Sequence, residues 1–227
     1  MKGYAMAAVD QLTANPLEFL KKNILIPGIY GPPRDSLKDE PIDMRLVSMP
    51  PADGYAKQLG EPLGIYIVTV PGLVDSIVTR GGVDDGKSFK AYFCSYEPGA
   101  VFGTTVGAKA DFMFTAQMDG CSLGVGHKTS SGTRLVYHAN KGGNAGRQQD
   151  DLNEKMGANQ AAVLSPKDYR VEANEGHLAS TTMGIRTAST NDWNFYAQIY
   201  ADDKGMTNFG TRKQQRTYFL RQVKKFL

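Results

Sequence analysis

After a proline-rich beginning, the chain is a succession of short β-strand patterns separated by turn residues, and this succession limits its fold more than any other feature. Apolar and β-branched runs at 65–70, 73–80 and 88–96 each end close to a Pro-Gly or Gly-Gly pair. Two more runs, at 178–188 and 193–200, flank a polar turn and predict a hairpin. Short strands at this spacing favour antiparallel pairing over βαβ units. The sequence therefore predicts an α/β protein with a mainly antiparallel sheet or β-sandwich core and flanking helices.

Three helices are predicted around this core. Two short ones cover 4–13 and 16–23, and a third covers 146–157. The second has a clear start signal, because Asn15 can cap it, the proline after Asn15 suits its first position, and Glu18 suits its third.

The segment 27–62 holds seven of the eleven prolines. Because proline removes a backbone donor and fixes φ, long helices and central strands are not expected there. We predict an ordered surface segment with one short strand at 44–48, and a flexible linker is the alternative. The 227 residues are expected to form one domain, 1–227, with 1–63 packed on it as a helical and proline-rich N-terminal segment.

Composition narrows the function classes. The apolar content of 41%, the charged content of 22% and the net charge of +3 are typical of a globular protein and indicate no nucleic-acid partner. No apolar run approaches the roughly 20 residues of a membrane helix, so no membrane is expected as a partner. The beginning of the chain lacks the apolar core of a secretory signal. We therefore expect a protein that stays in the cytosol or leaves it by a route without a cleaved signal.

Metal and cofactor sites are not predicted. The three histidines and two cysteines show no metal-ligand spacing, and no dinucleotide fingerprint is present. The glycine-rich stretch 141–146 lacks the order of a phosphate-binding loop, so we favour a turn or a wall of a cleft there. Cys94 and Cys121 form either one disulfide or two free thiols, and Cys94, with no histidine or acid beside it, is given a structural role.

Residue types and spacing together suggest chemistry in the stretch 111–140. A strand of alternating apolar residues is followed by Asp119-Gly120, a dipeptide typical of tight turns. Cys121 begins a second strand, and the polar loop 127–132 leads to a third strand at 134–140. In a simple hairpin closed by this loop, Cys121 lies opposite the histidine at position 138.

The expected pairing of Cys121 with His138 defines the chemistry. Directly opposed side chains have Cβ atoms about 4.5–5.5 Å apart, and the same register pairs Leu123 with Val136. The imidazole takes the thiol proton and later returns a proton to the leaving group, and the backbone N–H groups of Gly120 and Cys121 stabilise an oxyanion. This pattern predicts acyl transfer at an amide carbonyl. The alternative is that Cys121 is a small core residue and His138 an ordinary strand histidine.

The segment Met118-Asp119-Gly120-Cys121, with His138 on the next strand, resembles the catalytic core of the bacterial toxin glutamine deamidases. That family includes Burkholderia lethal factor and the catalytic domain of cytotoxic necrotizing factor. Its motif is Leu-X-Gly-Cys with a downstream histidine; here methionine replaces the leucine and the hairpin between the two residues is longer. The family's third element lies shortly before the cysteine and orients the histidine, and Thr115 occupies the matching position, acting through its side chain or its backbone carbonyl. The resemblance covers about thirty residues.

The resemblance implies a fold similar to that of the toxin deamidases and a single catalytic domain without cofactor. It implies an enzyme, secreted or delivered into a host cytoplasm, that converts one glutamine of a host protein to glutamate. In this family the target is a translation initiation helicase or a Rho-family GTPase. The host protein would be the partner of a monomer that binds neither nucleic acid nor membrane.

Three other interpretations stay open. A cysteine peptidase or a transglutaminase-like acyltransferase would use the same pair, and a non-enzymatic β-rich binding module would bury Cys121. The basic tail from Lys204 onward is interpreted as a terminal element docked on the sheet through one apolar face, with a partner-binding patch as the alternative.

Overall fold

The computed structural model describes most of the chain, and its described parts form two sheets with helices on both outer sides. The described residues are 6–28, 39–49, 54–58, 61–141, 144–170, 177–204 and 216–227.

Five α-helices are present in the described residues, together with two short 3₁₀ turns at Pro71–Leu73 and Gly157–Asn159. The helices are α1 Ala8–Ala14, α2 Pro16–Lys22, α3 Val74–Val78, α4 Ala145–Met156 and α5 Pro166–Tyr169. The strands are β1 Asn23–Pro27, β2 Ile42–Ser48, β3 Gly54–Gln58, β4 Glu61–Thr69, β5 Val83–Cys94, β6 Val101–Val106, β7 Phe112–Thr115, β8 Ser122–Gly126, β9 Arg134–Ala139, β10 Gln160–Leu164, β11 His177–Thr187, β12 Asp192–Lys204 and β13 Arg216–Lys225.

Sheet A has nine strands in the order β1-β4-β2-β5-β7-β11-β12-β13-β3, and β3 also pairs with β4, so the sheet is nearly closed on itself. Three of its pairings are parallel: β1 with β4, β5 with β7, and β13 with β3. Sheet B has four strands in the order β10-β8-β9-β6, and all its pairings are antiparallel. The fold is thus mixed α/β and dominated by strands, with one antiparallel and one mixed sheet.

The alternation of β7 separates two cores. Phe112 and Phe114 face a cluster that includes Leu12 of α1 and Leu20 of α2. Met113 faces the second cluster, which lies between the two sheets and contains Leu123 and Val125 of β8 and Val136 of β9. On the outer face of sheet B, Leu152 and Met156 of α4 pack where Gly124 leaves room, because a Cβ there would come within 3.0 Å of both. The second core places the candidate site between the sheets.

One edge of β1 is satisfied by side chains instead of a neighbouring strand. The Gln198 side chain donates to the carbonyls of Leu20 and Asn23 at 2.7 and 2.6 Å and accepts from the Leu25 N–H at 2.8 Å. Thr181 donates to the Leu25 carbonyl at 2.6 Å. Leu25, Thr181 and Gln198 are all buried, so water cannot replace these bonds.

Several predicted elements are confirmed. The two N-terminal helices, the later helix and the strand at 44–48 are present, and the Asn15 side chain accepts from the Glu18 N–H as the cap of α2. The strands β11 and β12 form the predicted hairpin. The end of the basic tail does join sheet A, but as one of its strands: β13 is hydrogen-bonded between β12 and β3 and does not lie on a face of the sheet. Both cysteines are free thiols.

The strand predicted at 73–80 is wrong. The chain forms a 3₁₀ turn and then α3 there. Val74 and Ile77 are the buried residues of α3, and their spacing of three is that of a helix. The β-branched composition hid this period, because a short apolar run does not separate helix from strand by composition alone.

Of the two hairpins predicted in 111–140, the second is present, because β8 pairs antiparallel with β9, but the first is wrong. β7 belongs to sheet A, while β8 and β9 belong to sheet B. Asp119-Gly120 is therefore part of a crossing between sheets, although Gly120 does have the positive φ of +100° that favours glycine. Met118 still pairs with Ser180 of β11 in an isolated bridge before the chain leaves sheet A.

Parts of three interpretations lie outside the described residues. They are residues 29–38, 50–53 and 59–60 of the proline-rich segment 27–62, part of the glycine-rich stretch 141–146 and the beginning of the basic tail.

Candidate active site

Cys121 lies immediately before β8, on the turn that carries the chain from sheet A to sheet B. Its side chain belongs to the cluster between the sheets, together with Leu123 and Val125 of β8. Only 4% of Cys121 is exposed. The thiol is therefore almost completely buried.

The predicted register of Cys121 and His138 is wrong by two residues. His138 lies opposite Leu123 of β8 and opposite Phe102 of β6, on the other side of β9. The even shift keeps the pattern of faces, since Val125 lies opposite Val136 and both are buried in the same cluster. Cys121 is thus the diagonal neighbour of His138, and Cβ atoms in such pairs are about 7 Å apart or somewhat less.

Thr115, at the end of β7, brings sheet A to the imidazole. Its hydroxyl lies 2.5 Å from Nδ1 of His138 and 3.0 Å from the carbonyl oxygen of Cys94, which is its partner in the parallel β5–β7 pairing. Thr115 and His138 are both buried. The contact is therefore made by the side chain of Thr115, the first of the two possibilities that its position left open.

These two contacts fix the tautomer of His138. A carbonyl can only accept, so the single hydroxyl proton of Thr115 goes to Cys94, and Nδ1 of His138 must donate its own proton to the hydroxyl oxygen. Nε2 then carries the free lone pair. It is buried and makes no hydrogen bond, to the Cys121 thiol or to any other described group. An unpaired buried acceptor of this kind costs folding free energy, so we interpret Nε2 as a candidate catalytic base.

Burial keeps both groups uncharged at rest. It raises the pKa of the Cys121 thiol to about 11 and lowers the pKa of His138 to about 4. The backbone of Asp119 hydrogen-bonds the Cys121 sulfur and lowers the thiol pKa, but by less than burial raises it. The resting pair is a thiol and a neutral imidazole, so a general-base mechanism fits it better than a preformed ion pair.

The depressed pKa of His138 predicts a loss of stability in acid. Between its ordinary value of 6.5 and its folded value of about 4, the unfolded chain binds a proton that the folded chain does not. Stability is therefore complete above the ordinary pKa and falls as the pH drops toward the folded one, by on the order of 3 kcal/mol at about 1.4 kcal/mol per unit. Urea unfolding across this range measures it. The variant His138→Asn keeps an amide near Thr115 but does not titrate. In this variant the free energy of unfolding should depend less on pH across this range; an unchanged dependence would contradict its assignment to His138.

If Cys121 and His138 carry out the predicted acyl transfer, Thr115→Val is expected to slow that reaction while retaining the fold. Valine has nearly the same shape but leaves the Nδ1 proton and the Cys94 carbonyl unpaired, so the tautomer is no longer fixed. By analogy with other orienting residues we expect a loss of about 10–100-fold in kcat. Thr115→Ser, which keeps the hydroxyl, is the matched control and should stay close to the wild type. The ¹⁵N shifts of the imidazole report the tautomer directly, and an unchanged tautomer in Thr115→Val would remove the orienting role.

The Gly120 N–H is not available as an oxyanion donor in this structure. It donates to the hydroxyl of Tyr169, the last residue of α5, at 2.9 Å. The same hydroxyl donates to the carbonyl of Cys121 at 2.8 Å. Of the two predicted backbone donors, the Cys121 N–H therefore remains.

Two residues that sequence reasoning missed hold this turn. Tyr169 is one, and Gln148 of α4 is the other: its amide nitrogen donates to the Gly120 carbonyl at 2.8 Å, and its oxygen accepts from the Ser122 hydroxyl at 2.5 Å. Gln148 is fully buried. The one sequence signal was that Gln148 falls on the apolar face of the predicted helix, four residues before Leu152.

The other sequence candidates lie elsewhere. The loop 127–132 joins the end of β8 to the start of β9, away from Cys121, and Lys128 ties this loop to the β11–β12 turn. His127 is exposed in that loop. Cys94 is buried, and its thiol lies 3.5 and 3.7 Å from the carbonyls of Phe102 and Val136, while burial raises its pKa to about 12.

A half-buried aromatic ring covers His138. Tyr96, which follows β5, lies with its ring centre 5.5 Å from that of the imidazole, at an angle of 54°. A cavity of about 420 Å³ lies nearby against Tyr137 and Gly103, on the face of sheet B opposite to His138, and it does not include Cys121. An entering side chain would therefore have to displace a cover such as Tyr96.

The described residues show neither a metal site nor a membrane-spanning helix. They contain no group of three or more His, Cys, Asp or Glu that could hold a metal ion. Nor does the described part of the chain contain a helix that is long and apolar enough to span a membrane. Comparison of the chain with protein-family models and with curated proteins finds no match.

Proposed function

We propose that the chain is a cysteine-dependent glutamine deamidase that acts on a folded host protein. The observation that carries the proposal is the contact between Thr115 and Nδ1 of His138, which leaves Nε2 as a free base on the sheet face that Cys121 shares. A core histidine would ordinarily use both ring nitrogens. The resemblance of Met118–Cys121 to the toxin deamidase motif supports the same assignment.

The reaction begins from the uncharged pair. His138 Nε2 takes the Cys121 proton as the sulfur attacks the amide carbon of a glutamine side chain, and the Cys121 N–H stabilises the resulting oxyanion. The imidazolium then gives its proton to the leaving nitrogen, and the tetrahedral intermediate collapses to a thioester as its C–N bond breaks and ammonia departs. Water, deprotonated by Nε2, attacks the thioester; glutamate forms and the thiol recovers a proton. The net change is glutamine and water to glutamate and ammonia.

The closed site favours a folded protein as the substrate. With Cys121 4% exposed and His138 1% exposed, access requires displacement of the covering groups. That displacement costs free energy, which contacts away from the reacting amide can offset when the substrate is a large surface. Free glutamine and short peptides lack these contacts and should be turned over slowly.

The test is to incubate the protein with a translation initiation helicase, a Rho-family GTPase and a host-cell extract in parallel. We expect ammonia release together with the one-dalton mass increase of a single glutamine, without chain fragments. Cys121→Ala is the negative control. Abundant fragments would indicate a peptidase, and incorporation of an added amine in excess of ammonia would indicate a transglutaminase. Absence of all three with every substrate would support the binding module.

A further inference from the structure

The peptide bond between Gly120 and Cys121 is held by a residue distant in the chain. Gln148 donates to its carbonyl oxygen at 2.8 Å from within α4, and the Ser122 hydroxyl holds the Gln148 oxygen at 2.5 Å. All three groups are buried. Both the nitrogen and the oxygen of the Gln148 amide are thus held by hydrogen bonds, and its N–H group faces the turn at Gly120 and Cys121.

Because the peptide between Gly120 and Cys121 is planar, the hydrogen bond to its carbonyl also determines where the Cys121 N–H points. In a trans peptide the C=O and the following N–H point in opposite directions, so the group that fixes the Gly120 carbonyl also fixes the direction of the Cys121 N–H. Gly120, with φ of +100°, lacks the side chain that would limit rotation of this peptide. Its orientation therefore depends on the hydrogen bond from Gln148.

We propose that Gln148 is a positioning residue that aims the Cys121 N–H at the oxyanion of the acyl-transfer step. The proposal rests on the function proposed above, and it goes further because it assigns the single backbone donor and the side chain that orients it. Tyr169 complements this arrangement: its hydroxyl occupies the Gly120 N–H, which leaves the Cys121 N–H as the donor at this turn.

The competing explanation is that Gln148 only attaches α4 to sheet B. The two explanations differ in what they predict for two reactions of the same thiol. Alkylation by iodoacetamide displaces iodide from a saturated carbon and forms no oxyanion. Acetylation by nitrophenyl acetate forms a bond from sulfur to the carbonyl carbon, passes through an oxyanion and releases nitrophenolate. Orientation of the N–H affects the second reaction and spares the first.

The test compares both rates in the full chain and in Gln148→Met, which keeps a similar volume without the amide. Acetylation should fall about 10–100-fold, and kcat for deamidation with it, while KM and the alkylation rate change less than about two-fold. Gln149→Met, a change of the neighbouring glutamine, which bonds Asn153 instead of the turn, is the control and should leave both reactions unaltered. Mass spectrometry confirms that Cys121 is the modified residue.

Equal losses of acetylation and alkylation in a folded Gln148→Met would overturn the proposal, as would no loss of acetylation. If this variant does not fold, Ser122→Ala decides: without the hydroxyl that holds the Gln148 oxygen, acetylation should fall more than alkylation, and equal effects would refute the assignment. Because acetylation needs no protein substrate, its dependence on Gln148 can be established even if the wild type deamidates none of the tested targets. The two proposals therefore fail separately.

Discussion

Replacement of Cys121 by alanine or serine is expected to lower the rate of ammonia release by a factor of about 10⁴ or more. Among the described groups next to His138, only the Cys121 thiol can form the thioester. His138→Ala should lose nearly as much, because residues that act as a unit lose most of the rate singly. Both rates are measured on the host protein that the wild type modifies. Circular dichroism and urea unfolding show whether the variants fold.

Cys94→Ser is the matched control for the loss at Cys121. Its thiol is buried against the carbonyls of Phe102 and Val136 and has a pKa of about 12, so it is not a nucleophile near neutral pH. A serine hydroxyl can donate to the same carbonyls, and activity should persist. Loss of activity in a folded Cys94→Ser, together with activity in Cys121→Ser, would reverse the roles of the two cysteines.

Gln198→Leu is expected to give the largest loss of stability, about 3–5 kcal/mol, because it leaves the carbonyls of Leu20 and Asn23 and the N–H of Leu25 without their partner. The Asn23 and Leu25 groups lie at the edge of β1 and the Leu20 carbonyl at the end of α2, and none of the described strands pairs with this edge of β1. Urea unfolding with an unchanged m-value measures the effect as a shift of the midpoint.

Two other variants calibrate the loss at Gln198. Gln149→Leu makes the same chemical change at a partly exposed position of α4 and should alter stability by less than about 0.5 kcal/mol. Thr181→Val removes the bond to the Leu25 carbonyl and a longer one, of 3.3 Å, to the Tyr200 hydroxyl, and it should cost about 1–2 kcal/mol. If Gln198→Leu were no worse than Thr181→Val, β1 would not depend on side chains for its free edge.

The sequence predicted helices and strands well in segments where one hydrophobic periodicity, that of a helix or that of a strand, dominates. The Asn15 cap, the β11–β12 hairpin and the alternation that turns Thr115 away from Phe114 all follow from neighbours in sequence. The α3 region failed because a short β-branched run is compatible with either period.

The candidate site was harder to predict because its parts meet across the fold. The predicted register assumed a hairpin centred on the loop 127–132, whereas the pairing of Val125 with Val136 centres it one residue later and so shifts the register by two residues. Gln148 and Tyr169 reach the turn at Gly120 and Cys121 from helices that lie far along the chain. A polar residue on a helix carries no sequence signal for a partner that only tertiary packing supplies.

Because Thr115 ends a strand of sheet A and Cys121 precedes a strand of sheet B, the proposed chemistry depends on both sheets. A nascent or partly unfolded chain that has formed either sheet alone holds a thiol without a correctly oriented base. Such a chain would not deamidate its substrate, although its strands are in place. Enzymatic reactivity would then be among the last properties acquired during folding and among the first lost when the sheets separate.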